Sequence, residues 1–211
     1  MTSRVIASPA VTVRPGPPLV GQVTVDGSKN AALPLLAAAA ATRYPVHLSN
    51  VPHSLDVAAM LTLIRRCGYH LARPVGRPND VALMPAARRP AVPHLPEAAG
   101  IRASYYLVPV LLAAGGQAAL PWPGGCRIGA RGMEQHLNVY AAFGDTVEVD
   151  DGGYRVTGGD DHRPREVQMD LPFRSRGTSV VAVLRAVVGG HRLLLGNPNR
   201  RPAHQQGLLH P

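Results

Sequence analysis

Residues 28–52 read SKNAALPLLAAAAATRYPVHLSNVP, and this plan returns twice along the chain. It is a polar, basic start, an apolar helix (Ala31 to Ala41), a short strand (Val46-His47-Leu48) and a Pro/Asn stop. The second copy, RASYYLVPVLLAAGGQAALPWPG (102–124), has its helix over Tyr105 to Ala114 and its strand at Ala118-Ala119-Leu120. In the third, SRGTSVVAVLRAVVGGHRLLLGNP (175–198), the helix runs Val180 to Val188 and the strand is Leu193-Leu194-Leu195. A period of roughly 73 residues means that one supersecondary unit is used three times.

The first two copies continue alike. An amphipathic helix (Val57 to Cys67; Met133 to Phe143) is followed by glycine and a strand pair, 68–71 with 81–83 and 144–149 with 154–156. Each unit therefore reads βαβαββ, and the chain reads as an α/β (α+β) protein. The third copy runs into Ala203 to Pro211, which holds Gly207 and has no strong periodicity, so the last unit reads as incomplete.

Hydrophobic residues make up 45% of 211 positions, enough for a core, and aromatics only 4%, so that core must rest on Ala, Val and Leu. The charge of +9 favours anionic ligands. Its arginines lie in scattered pairs (Arg65-Arg66, Arg88-Arg89, Arg200-Arg201) without a basic helix, aromatic interleaving or Cys/His finger spacing, which argues against nucleic acid. No apolar run is long enough to span a bilayer, because Ala31 to Ala41 is short and carries Pro34. With two cysteines and no charged, then apolar leader, the reading is a cytoplasmic protein without a disulfide.

Two positions carry chemistry. Cys126 lies in Pro-Gly-Gly-Cys-Arg-Ile-Gly-Ala-Arg (123–131), between glycines and two guanidinium groups. Positive charge and exposed N–H groups favour the thiolate, so Cys126 is a candidate nucleophile or proton donor; the alternative is a small packing residue in a Gly-rich turn. Lys29 is the only lysine among 22 Lys and Arg, which suits a site wanting a compact ammonium. The three repeated helix starts place Lys29, Arg102 and Ser175 at equivalent positions, where convergence would make an anion site and divergence three ordinary capped helices. Cys67 reads as core, Asp150-Asp151 and Asp160-Asp161 as turns. The nine histidines show no metal-ligand spacing, and no metal is expected.

Gly-Ser-Lys-Asn-Ala-Ala-Leu-Pro (27–34), Arg-Ala-Ser (102–104), Pro-Gly-Gly-Cys-x-Ile-Gly-Ala-Arg (123–131) with His136 beyond, and Ser-x-Gly-Thr (175–178) together resemble the enolpyruvyl transferase family, in particular its UDP-sugar-using members. The resemblance implies a domain shaped as an inside-out α/β barrel of βαβαββ units, here 27–199 with its last unit incomplete. It implies an N-terminal segment, 1–26, that packs with a second domain, and leaves 200–211 as a poorly ordered tail. It further implies transfer of an enolpyruvyl group from phosphoenolpyruvate to a sugar-nucleotide hydroxyl in peptidoglycan precursor synthesis, with no cofactor.

By that resemblance Cys126 is the general acid toward C3, able to form a covalent adduct. Lys29, Asn30 and Arg131 hold phosphoenolpyruvate. Arg102, Arg131, Gly132, Met133, Glu134, Gln135, Ser175 and Gly177 hold the UDP-sugar. The family's general base lies in the second domain, and Gly132–Gln135 stands where the family usually has Pro, an apolar residue and Asp. Three readings stay open: a half-enzyme completed by a second-half polypeptide or by self-association, a specialised transferase acting on another nucleoside, and a non-catalytic binding module or remnant.

Overall fold

The computed structural model describes residues 12, 14–18, 20–87, 90, 93–124, 132–159, 166–170 and 176–196. Among the described residues, five α-helices and eight strands follow the repeat. Unit 1 is α1 (Lys29–Ala41), β1 (Val46–Leu48), α2 (Leu55–Arg66), β2 (Tyr69–Ala72) and β3 (Val81–Pro85). Unit 2 begins with 3-10 turns at Pro96–Gly100 and Arg102–Leu107. It continues with α3 (Val108–Gly115), β4 (Gln117–Pro121), α4 (Glu134–Ala142), β5 (Thr146–Val149) and β6 (Gly153–Thr157). Unit 3 holds β7 (Glu166–Asp170), α5 (Arg176–Gly189) and β8 (Arg192–Gly196).

Units 1 and 2 build the same sheet. The last strand lies in the middle and pairs antiparallel with both neighbours, in the orders β1-β3-β2 and β4-β6-β5, with Val46 opposite Leu83 and Ala118 opposite Val156. In unit 3, β7 and β8 pair in parallel across α5, with Val167 opposite Leu193. Parallel neighbours need a helical crossover, and α5 supplies it.

The first helices of the units are apolar nearly all round and therefore pack inside, α1 against α3 and α5 and α3 against α5. Leu36, Leu107, Val108, Val181 and Ala182 are fully buried where they meet. The second helices are amphipathic and lie outside. α2 is capped by Ser54, whose Oγ accepts from Val57 N–H at 3.3 Å, carries Asp56 in its first turn and Arg65 and Arg66 in its last, and buries Val57, Met60, Leu63 and Ile64. Cys67, directly after it, is core as expected. Asp150 makes the expected turn between β5 and β6, its Oδ1 accepting from Gly152 N–H at 2.7 Å and Gly153 N–H at 2.8 Å. Asp160-Asp161 and 200–211 lie outside the described residues.

The leading strand expected in units 1 and 2 is a correction. Residues 20–28 hold the short alternation Val23-Thr24-Val25, yet form no ladder, and Val20, Val23 and Val25 are exposed. In unit 2, Pro93 and Pro96 lack the N–H groups that a ladder needs, and the chain turns as a 3-10 helix instead. The helix expected over Tyr105 to Ala114 likewise opens as the 3-10 turn Arg102–Leu107 before α3. No described helix is long and apolar enough to cross a membrane.

Among the described residues, a buried ion pair helps fasten unit 3 to unit 2. Arg185 of α5 donates from Nε and Nη2 to the two oxygens of Asp145, at the α4–β5 junction, both at 2.6 Å. Its guanidinium also lies over the Phe143 ring, 5.6 Å from the centroid.

Candidate functional site

Neither α1 nor the 102–107 turn has a side-chain cap, and both starts are held by their surroundings. Before α1, Gly27 N–H donates to Asn50 Oδ1 at 3.1 Å, and a side chain on Gly27 would meet Asn50 O at 1.8 Å. Asn50 itself turns in the left-handed region, φ 54°, and its N–H donates to Asp80 Oδ1 at 3.3 Å. This brings the strand-end turn of unit 1 against the residues that precede Lys29. Lys29 Nζ pairs with Asp56 Oδ2 at 2.6 Å on a half-exposed surface, and Asn30 beside it is exposed. Asp56 was not anticipated; its only sequence signal is its place in the first turn of α2.

The glycine-cysteine loop is tied at both described ends to the start of unit 2. Gly124 N–H donates to Ala99 O at 2.8 Å, and a Cβ on Gly124 would meet the same oxygen at 2.2 Å. At the far end Arg102 Nη2 donates to Gly132 O at 3.4 Å. Cys126 and Arg131 lie between these ties, outside the described residues. Beyond them Met133 is buried, Glu134 exposed and Gln135 half-buried at the start of α4.

The third motif closes onto the second. Ser175 lies outside the described residues, but Gly177 packs so tightly on Tyr105 that a Cβ there would meet Tyr105 Oη at 2.2 Å. Next to it, the Thr178 hydroxyl and His136 Nδ1 are hydrogen-bonded at 2.7 Å in a buried setting. The His136 ring lies against Tyr105, centroids 4.3 Å apart. Arg102, the 102–107 turn, the start of α4 and the start of α5 thus form one cluster. Lys29, paired with Asp56, is not joined to it by any described hydrogen bond or ion pair. The two clusters share α1, which packs on both the 102–107 turn and α5.

Burial first, and then the Arg102 guanidinium, lowers the pKa of His136 to about 4 from the ordinary 6.5, with Glu134 opposing weakly. Burial, chiefly, pushes the Tyr105 phenol up. Both groups are therefore neutral at pH 7, and His136 exchanges a hydrogen bond with Thr178 without bringing charge into the cluster. For a base whose folded pKa lies below its unfolded one, the unfolded chain takes up the proton first. Stability is then full above about pH 6.5 and is lost as the pH falls toward 4. Lowering the pH from 7 to 5 is expected to cost about 2 kcal/mol through this residue. Urea unfolding of the native chain and of His136→Gln at the two pH values checks this, since the variant should lose that part of the slope.

With this geometry in place, residues 13–205 match the profile of the family described as EPSP synthase (3-phosphoshikimate 1-carboxyvinyltransferase). The chain belongs to the EPSP synthase family of enolpyruvyl transferases. Among curated family members it is 32% identical over 190 residues to UDP-N-acetylglucosamine 1-carboxyvinyltransferase from Halothermothrix orenii, covering 90% of this chain and 44% of that protein. The enzyme of the same name from Prochlorococcus marinus is 30% identical over 203 residues, with 96% and 44% covered. The chain thus spans less than half the length of these family members. Among solved structures, the enolpyruvyl transferase NikO from Streptomyces tendae superposes with a TM-score of 0.62 at 25% identity, over 82% of this chain and 38% of that one. EPSP synthase from Acinetobacter baumannii superposes with a TM-score of 0.64 at 18% identity, which shows the shared mixed helix and sheet fold.

Proposed function

We propose that the chain is the cysteine-bearing half of a carboxyvinyltransferase, which moves the enolpyruvyl group of phosphoenolpyruvate to a hydroxyl of UDP-N-acetylglucosamine. The observation that carries this reading is the pairing of the family match with the two tied ends of the 123–131 loop, at Ala99 and Arg102. In the reaction the acceptor hydroxyl gives its proton to the general base as its oxygen adds to C2, a proton goes to C3, and the tetrahedral product then loses phosphate together with a proton from C3, which restores the double bond. Cys126 supplies the C3 proton, which requires a thiol tuned by nearby charge. Lys29, Asn30 and Arg131 hold the carboxylate and phosphate of phosphoenolpyruvate. Arg102, Gly132–Gln135, Ser175 and Gly177 hold the uridine nucleotide by charge-assisted and backbone hydrogen bonds.

In this reading residues 27–199 are one inside-out α/β barrel domain and 1–26 pack on a second domain that supplies the general base. The exposed Val20, Val23 and Val25 support that placement, since three exposed valines without a ladder are suited to another surface. The role in peptidoglycan precursor synthesis and a cytoplasmic location follow from the same reading. A specialised transferase for another nucleoside is the second reading, favoured by Gly132–Gln135 where a UDP-sugar enzyme usually has Pro, an apolar residue and Asp.

The test is phosphate release from phosphoenolpyruvate by the chain supplemented with a second-domain polypeptide that supplies the general base, with the melting temperature of the chain alone followed in parallel. The expected result is release that requires UDP-N-acetylglucosamine, together with a melting temperature raised by that nucleotide. A folded chain that neither binds the nucleotide nor releases phosphate overturns the reading. A shift with other uridine nucleotides alone selects the second one.

A further inference from the structure

The central helices α1 and α5 begin at the candidate site and end together at the opposite face, where α3 ends as well. α1 has 13 residues, so the two faces lie roughly 20 Å apart. Arg43 just beyond α1, Gly116 after α3 and Gly189 at the end of α5 line one recess of about 370 Å³ there, and no acidic residue stands in its wall.

Two guanidinium groups belong to this recess. Arg185 is only 9% exposed, and its Nε and Nη2 are engaged by Asp145. Its Nη1 makes no described hydrogen bond. A Cβ on Gly189 would strike both Arg185 Nη1 and His191 Nε2, so glycine at 189 leaves these two nitrogens turned toward one point in the recess. Arg43 is exposed, makes no described hydrogen bond or ion pair, and is held at φ 62°, in the left-handed region that favours glycine.

Cations are favoured at helix C-termini, which would account for arginines here without any ligand. The last-turn carbonyls of Ala39, Leu112 and Ala186, however, already accept from Thr42 Oγ, Gly116 N–H and His191 N–H. The links between units point further. Arg66 with Glu97 joins unit 1 to unit 2, and Arg185 with Asp145 joins unit 2 to unit 3. Between units 3 and 1 the described residues hold no ion pair, and two like charges share a recess instead, an arrangement that a counter-anion relieves. We propose that the recess binds a small oxyanion, a phosphate or carboxylate group, which Arg43 and Arg185 Nη1 clasp from the α1 and α5 sides, tying unit 1 to unit 3 at a site separate from the candidate one.

The test follows the backbone amides of the full chain by 1H–15N spectroscopy during titration with inorganic phosphate and, separately, with acetate, chloride holding the ionic strength constant. The expected result is saturating shifts at Gly158, Gly159 and Gly189 with at least one probe, and an affinity about tenfold weaker in Arg43→Gln, which loses one charge-assisted hydrogen bond. Saturation by phosphate alone assigns the site to phosphate groups, and saturation by acetate alone to carboxylates. Anions gathered near Lys29 are told apart by Lys29→Met, in which the shifts at the three glycines should persist. Shifts that are absent, that do not saturate, that Arg43→Gln leaves unchanged or that Lys29→Met abolishes overturn the proposal. A loss of melting temperature in Arg43→Gln without binding of either probe by the native chain would make Arg43 a helix-end countercharge only, and would overturn it too.

Discussion

Arg185→Met is expected to destabilise the chain by about 3–5 kcal/mol, the largest stability loss of any single polar substitution among the described residues. The Asp145 carboxylate is fully buried and the Arg185 side chain only 11% exposed, so removing the guanidinium strands a charge that water cannot reach. Gly159 N–H, at 3.3 Å from Asp145 Oδ1, remains as a donor but brings no countercharge. The methionine keeps most of the stem's packing on Phe143, so the loss reports the charge and not a cavity. Replacing both partners, Asp145→Leu with Arg185→Met, should recover much of it, because a well-packed apolar pair avoids the desolvation of two ions. Urea unfolding of the two single variants and the double variant measures the coupling. If the single variants cost less than 1 kcal/mol, unit 3 is not fastened through this pair.

That pair also shows where sequence reading ends. The repeat was legible because three apolar helices with polar starts, each followed by a short apolar strand and a Pro, Asn or Gly stop, follow from local chemistry, and α1, α2, α4, α5 and the sheets of units 1 and 2 appear where that chemistry puts them. The Arg185–Asp145 pair joins positions 40 residues apart, and neither residue has a local signature: Asp145 falls at the start of the strand segment read over 144–149, Arg185 is one polar position on an apolar helix. Asp56 opposite Lys29 and Thr178 opposite His136 were hidden for the same reason. Ser-x-Gly-Thr could be singled out as a motif, but that its glycine is required by Tyr105 and its threonine by His136 depends on how units 2 and 3 pack. The unformed leading strand of unit 1 is the converse case. Val23-Thr24-Val25 is a true local signal, but a ladder and a covering layer are non-local, and among the described residues Val20, Val23 and Val25 have neither.

The largest expected functional effect belongs to Cys126. Under the proposed function, Cys126→Ala removes the proton donor to C3, and general acid catalysis of this kind contributes about 10²–10⁴ in rate. Phosphate release should fall by that factor. Binding of UDP-N-acetylglucosamine should persist, because the groups assigned to the nucleotide sit on Arg102 and on the starts of α4 and α5, which are fixed by contacts independent of the thiol: Arg102 to Gly132, His136 to Thr178, and Gly177 against Tyr105. Lys29→Met makes the complementary case. It removes the ammonium that holds phosphoenolpyruvate and leaves Asp56 on a half-exposed surface, where an unpaired carboxylate costs little stability. Its KM for phosphoenolpyruvate should rise with the melting temperature almost unchanged. The two variants together separate proton transfer from anion binding. Were Cys126→Ala to release phosphate as fast as the native chain, the C3 proton would come from another group, and the thiol would return to its other reading, a small packing residue in a Gly-rich turn.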